Sequence, residues 1–260
     1  MSGLVDTHCH VHDESYPLER EGVFRRAREA NVRRMICIGT GMKDSQLAVK
    51  FAEKHEGVWA TVGTHPHGER CTEECLVGID ERIAVLKELA ERKKVVAIGE
   101  IGLDYHYKPC DRKVQIELFE AQLQMACDLR MPIVFHVREA YEDFFAVIDG
   151  FSGIRGVVHS FSDRVENLEG VLRRGLYVGV NGLATFTKDV TQLEAYDRIP
   201  LEKLLLETDA PYLTPAPYRG KMNEPAYVSL VARWVAKRRS KTLDTIEVIT
   251  TQNAKDLFEI

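Results

Sequence analysis

The sequence predicts an α/β fold, a closed (β/α)8 TIM-type barrel. Three observations carry this reading. Short apolar runs alternate with amphipathic stretches, the alternation repeats eight times, and polar residues gather where the apolar runs end. The 260 residues suit such a barrel as a single domain, 1–260. A hydrophobic fraction of 45% supplies a substantial core, and a charged fraction of 29% is ordinary for a globular chain.

The apolar runs are short and rich in β-branched residues, as strands buried on both faces tend to be. The stretches between them place apolar residues at helical spacing. Run 3–7 leads into the helical pattern 18–30, and 34–38 into 43–55. Runs 58–62 and 95–99 precede 80–92 and 112–129. Runs 132–135, 156–158, 176–180 and 204–207 precede 139–148, 163–174, 188–199 and 226–238. A last helical segment, 243–258, has Thr242 and Thr251-Gln252-Asn253 as candidate cap or break positions. A doubly wound open sheet shares this alternation, but it favours a glycine-rich phosphate turn after the first strand. Here that strand ends in Thr7-His8-Cys9-His10.

Composition narrows the function. The formal net charge is -5 with both signs interspersed, which argues against a long basic track for duplex DNA and leaves room for a local phosphate pocket. No apolar run approaches the roughly 20 residues a spanning helix needs, so no membrane partner is expected. The N-terminal residues show no basic region leading into an apolar stretch, and the expected location is cytoplasmic. Six scattered cysteines suggest no disulfide framework, and Cys71 and Cys75, a C-x3-C pair, read as ordinary thiols.

In a barrel of this type, functional groups sit at the C-terminal strand ends. The first strand ends in His8 and His10, the fourth in Glu100, the fifth in His136, the sixth in His159, and the eighth in Glu207-Thr208-Asp209. Side chains two apart on a strand share a face, so His8 and His10 can reach one ion, while Cys9 faces the other way. Glu100 and Asp209 each follow a strongly apolar run, where burial is costly unless a cation is met. Imidazole mixed with carboxylate suits zinc, manganese, cobalt or iron, and magnesium with water, and such sites serve metal-assisted hydrolysis.

The segments Val5-Asp6-Thr7-His8-Cys9-His10 and Gly99-Glu100-Ile101-Gly102-Leu103-Asp104-Tyr105 resemble the TatD family of metal-dependent deoxyribonucleases. So do His136-Val137-Arg138-Glu139-Ala140, His159-Ser160-Phe161-Ser162 and Glu207-Thr208-Asp209-Ala210-Pro211-Tyr212-Leu213-Thr214-Pro215. The segment Arg219-Gly220-Lys221-Met222-Asn223-Glu224-Pro225 and the late Asn253-Ala254 also fit, so the resemblance covers almost the whole chain. It implies a TIM-type barrel related to the amidohydrolases and two divalent ions, Mg, Mn or Zn. His8, His10 and Asp209 resemble the ligands of one ion. His136 and His159 resemble those of the other, with Glu100 bridging. The implied reaction is phosphodiester hydrolysis by a two-metal-activated water, as a 3′-5′ exonuclease on single-stranded DNA or 3′ ends, and a monomer is the expected state. Asp209 and Glu100 carry the catalytic roles, Asp209 as ligand and general base.

His65, in Gly63-Thr64-His65-Pro66-His67, together with Arg138 and Arg219, is a candidate substrate contact. His12 is expected to stand behind the metal ligands or to be exposed, and His55 to face a helix C-terminus. Tyr105 and Tyr107 around His106 offer rings for a base or for loop packing. The alternatives are an amidohydrolase acting on an amide or ester, and a metal-binding scaffold without catalysis.

Overall fold

A computed structural model describes residues 3–67, 78–107 and 111–260; the C-x3-C pair lies outside them. Among the described residues the strands are β1 (Leu4–Cys9), β2 (Val32–Cys37), β3 (Val58–Val62), β4 (Val95–Asp104), β5 (Ile133–Arg138), β6 (Gly156–Val158), β7 (Tyr177–Val180) and β8 (Leu204–Leu206). The helices are α1 (Arg20–Glu29), α2 (Met42–Lys54), α3 (Ile79–Ala90), α4 (Arg112–Leu129), α5 (Tyr141–Ile148), α6 (Val165–Arg173), α7 (Val190–Arg198), α8 (Val228–Arg238) and α9 (Leu243–Phe258). The strands form one parallel sheet in chain order, β1 to β8, each followed by a helix. Order, sense and alternation are those of a (β/α)8 TIM-type barrel. No helix among the described residues is long and apolar enough to cross a membrane.

Two compact units divide the chain, one of Met1–Cys37 with His159–Ile260 and one of Ile38–Val158. In the first, β1 pairs with β2 and β7 with β8, and Cys9 bridges to Ala210 just past β8. Helix α9 is tied to this frame by side chains. Thr251 Oγ1 donates to Gly3 O at 2.9 Å, and Asn253 Nδ2 donates to the carbonyls of Leu201 (2.7 Å) and Leu204 (2.8 Å). The Thr251–Asn253 run is therefore a set of anchors inside the helix, whereas Thr242 is its N-cap, accepting from Thr245 N at 3.1 Å.

In the second unit β4 runs between β3 and β5, and β5 pairs with β6. Its core includes Phe119 of α4, Phe135 of β5 and Phe144 of α5, all fully buried, with ring centroids 5.2–6.1 Å apart. Each such ring stabilises the fold by about 1.5–3 kcal/mol through burial. Strand β4 is longer than the apolar run 95–99 suggests. It bends, with a register shift between Ile98 and Ile101, and continues beside β5 as far as the Asp104–Arg138 pair. Gly102 makes this close approach feasible: its φ is +149°, and a Cβ there would land on the His136 carbonyl oxygen. The extension is what brings Asp104 alongside the histidine of β5.

Candidate metal centre

Strand β1 is buried along its whole length and delivers His8 at its end. Asp209 follows β8. Its amide donates to His8 O at 2.9 Å, and His10 N donates to Ala210 O at 2.8 Å, so the two strand ends are laced backbone to backbone. The result sets Asp209 Oδ1 3.5 Å from His8 Nε2 and 3.4 Å from His10 Nε2. Ligand atoms from these three residues lie within 4.8 Å of one another. Asp209 has φ +58°, a left-handed conformation that costs an ordinary residue about 1–2 kcal/mol and that Asp tolerates better than most.

Buried polar groups hold that conformation. Asp6, fully buried, accepts from Thr208 N (2.9 Å) and Thr208 Oγ1 (2.6 Å) and from His8 N (3.3 Å). Burial raises its carboxyl well above the usual range, against the lowering effect of those hydrogen bonds. Asn223, also fully buried, donates from Nδ2 to Thr208 O (2.8 Å) and Tyr212 O (2.5 Å), either side of Asp209. Glu224 beside it is held by a bidentate contact from Arg26, 2.5–2.8 Å.

His159, buried, stacks on His8 with centroids 3.8 Å apart and planes 14° apart. Its Nδ1 lies 3.5 Å from Glu207 Oε1, which also accepts from Ser160 N at 2.5 Å. Gly179 leaves the space: a Cβ there would meet the Glu207 carboxylate. Burial raises the Glu207 carboxyl, partly offset by His159 and the Ser160 amide.

The second unit carries its own cluster, His65, Glu100 and His136, with ligand atoms again within 4.8 Å of one another. His136 Nδ1 lies 2.7 Å from Glu100 Oε1, and His65 Nε2 lies 3.7 Å from the same oxygen. Glu100 N donates to Gly39 O at 2.9 Å, which orients the carboxylate at the bend of β4. Helix α4 supports this cluster with two buried glutamines seven residues apart on one face. Gln122 takes the Thr64 N–H on Oε1 (2.7 Å) and gives Nε2–H to Thr64 O (3.1 Å), fixing the backbone next to His65. Gln115 does the same for Asp104, at 2.9 and 3.0 Å.

Among the remaining candidates, the exposed Arg138 lies with its guanidinium 4.7 Å over the Tyr107 ring, and Arg219 3.4 Å over Phe186. Both are cationic groups held by an aromatic face at the ends of β5 and after β8. His106 meets Glu139 Oε1 at 2.6 Å. His12 is buried at 5% exposure, deeper than its place beyond the first motif suggests. His55 stands at the C-cap of α2, as expected, and packs on Phe51 at 4.4 Å; burial and then Lys54 lower its pKa.

Sequence reasoning missed Asp6, Asp104, Glu207 and Asn223 as working residues, and both glutamines. The available signal was Gln115 and Gln122 interrupting an otherwise apolar helical stripe at Leu118, Phe119, Leu123 and Met125.

Two clusters, each mixing imidazole with carboxylate at strand ends of a (β/α)8 fold, define the class as a metal-dependent hydrolase. The model of the family described as TatD related DNase matches residues 5–259. An uncharacterized metal-dependent hydrolase, YabD of Bacillus subtilis (strain 168), is 36% identical over 99% of both chains. The protein named 3′-5′ ssDNA/RNA exonuclease TatD of Pantoea ananatis is 36% identical, covering 98% of this chain and 99% of its own. The crystal structure of YJJV, a TatD homolog from Escherichia coli K12, superimposes with a TM-score of 0.90 at 28% identity, covering 100% of each chain. The chain belongs to the TatD family of metal-dependent hydrolases.

Proposed function

We propose that the protein is a two-metal 3′-5′ exonuclease acting on single-stranded DNA ends. The observation that carries the reading is the pair of imidazole–carboxylate clusters, His8, His10, Asp209 and His65, Glu100, His136, at the strand ends. Their donors suit zinc, manganese or magnesium in imidazole–carboxylate coordination. In this reading His8, His10 and Asp209 would hold one ion, and Glu100 and His136 would be ligands of the other. When bound, the ions supply Lewis-acid activation of a water and neutralise charge on the phosphate.

The chain's own residues do the rest. Asp209, with Oδ1 turned to His8 and His10, takes the proton of the attacking water on Oδ2. A tightly bound carboxylate is a poorer base, so the ligand and base roles of Asp209 compete. The side chain is 15% exposed, enough for water to reach it. His65, whose Nε2 lies 3.7 Å from Glu100 Oε1, contacts a phosphate oxygen of the substrate in this reading. Arg138 and Arg219 contribute positive charge for the neighbouring phosphates. The Pantoea relative's name supports polarity and strandedness.

The test uses single-stranded DNA labelled at its 5′ end, with Mg, Mn or Zn, and His136→Ala as control. A ladder shortening from the 3′ end that His136→Ala lacks is expected. Metal-loaded protein that leaves every oligonucleotide intact would overturn the reading.

A further inference from the structure

We propose that Asp104 is a positioning residue for the second ion: its carboxylate fixes the His136 proton on Nε2 and turns the Nδ1 lone pair toward Glu100. The inference rests on the two-cluster reading and adds a residue that lies outside both ligand sets.

Asp104 is fully buried at the end of β4, and its two carboxylate oxygens have separate tasks. Oδ1 accepts from the backbone amides of His106 (2.9 Å) and Tyr107 (3.1 Å), closing a local turn. That turn needs one oxygen only. Oδ2 lies 3.0 Å from His136 Nε2 and 2.8 Å from His67 Nε2, two imidazoles from different strand ends.

A ring that held the ion through Nδ1, the nitrogen 2.7 Å from Glu100 Oε1, would carry its proton on Nε2, where Asp104 Oδ2 accepts it at 3.0 Å. Carboxylate–histidine–metal arrangements of this kind raise ligand basicity and lock the ring. His67 Nε2 lies 2.8 Å from the same Oδ2, and Gln115 grips the Asp104 backbone in both directions, which holds the residue in place.

Zinc binding to the full chain, followed by competition with a chelating dye, separates the outcomes. Asp104→Asn is expected to weaken one of two zinc sites by about 10–100-fold and leave the other unchanged. Combined with His136→Ala it should add no further loss, because Asp104 acts through that ring. The zinc-loaded wild type, labelled with 15N at histidine, should show His136 as the Nε2–H tautomer in long-range nitrogen–proton spectra. This readout stands even where Asp104→Asn fails to fold. Unchanged zinc affinity in a folded Asp104→Asn, or a proton on His136 Nδ1, overturns the role of Asp104. If His136→Ala itself binds zinc as the wild type does, the two-cluster reading falls instead.

Discussion

Asn223 is the residue whose removal tests the architecture of the Asp209 loop most sharply. Its side chain lies fully buried and makes three hydrogen bonds, to Thr208 O (2.8 Å), Tyr212 O (2.5 Å) and from Glu224 N (2.9 Å). Asn223→Ala leaves the Thr208 carbonyl and the Glu224 amide buried without that partner, and the Tyr212 carbonyl part-buried. Each buried stranded group costs about 1–3 kcal/mol, so the expected loss is about 2 kcal/mol or more. The same change frees the backbone on both sides of Asp209, whose left-handed conformation then relaxes. Urea unfolding in excess chelator reads the stability alone, because bound metal would otherwise add its own linkage. Asn223→Asp is the sharper companion: it keeps the shape but presents an acceptor to two acceptors, and at neutral pH it should be at least as damaging. A loss below about 1 kcal/mol in both variants, with wild-type metal affinity, would refute the clamp.

Other outcomes follow from the same geometry. Gly102→Ala places a Cβ on the His136 carbonyl and should cost at least about 2 kcal/mol in urea unfolding; a wild-type midpoint would mean that β4 can move aside. Gln122→Leu strands the Thr64 amide and carbonyl and should cost about 2–4 kcal/mol, and a neutral effect would remove Gln122 as the support of the His65 loop. Asp6→Asn addresses pH. Burial raises the folded Asp6 carboxyl, so the folded chain keeps that proton to higher pH than the unfolded chain, whose aspartates titrate near ~3.9. Its contribution is greatest below that value and is lost as pH rises through the raised one. Metal-free Asp6→Asn should therefore show a flatter decline in urea midpoint above about pH 4 than the wild type, and equal slopes would contradict this.

Much of this was legible in the chain itself. Runs such as Val95-Val96-Ala97-Ile98 and Leu204-Leu205-Leu206 marked strands because a parallel sheet is buried on both faces, and Glu100 and Asp209 stood out as charges at their ends. His8 and His10 were visible through their two-residue spacing. The supporting residues were not, because their partners are far away in sequence. Asp6 meets Thr208 across 202 positions, and Asn223 acts on a loop whose fold no local pattern encodes. Asp104 was hidden differently: the strand that carries it continues through two glycines, where periodicity suggests that a loop begins. Strand ends show themselves by contrast with an apolar run, whereas a buried carboxylate reveals its role only through its partners.

Counting bound metal tests the central claim most directly. Zinc-loaded and washed wild type, His10→Ala and His136→Ala would be measured side by side by elemental analysis. Two ions per chain in the wild type and one fewer in each variant is the expected result. A wild type that retains no metal, or either variant matching the wild type, would contradict the two-cluster account.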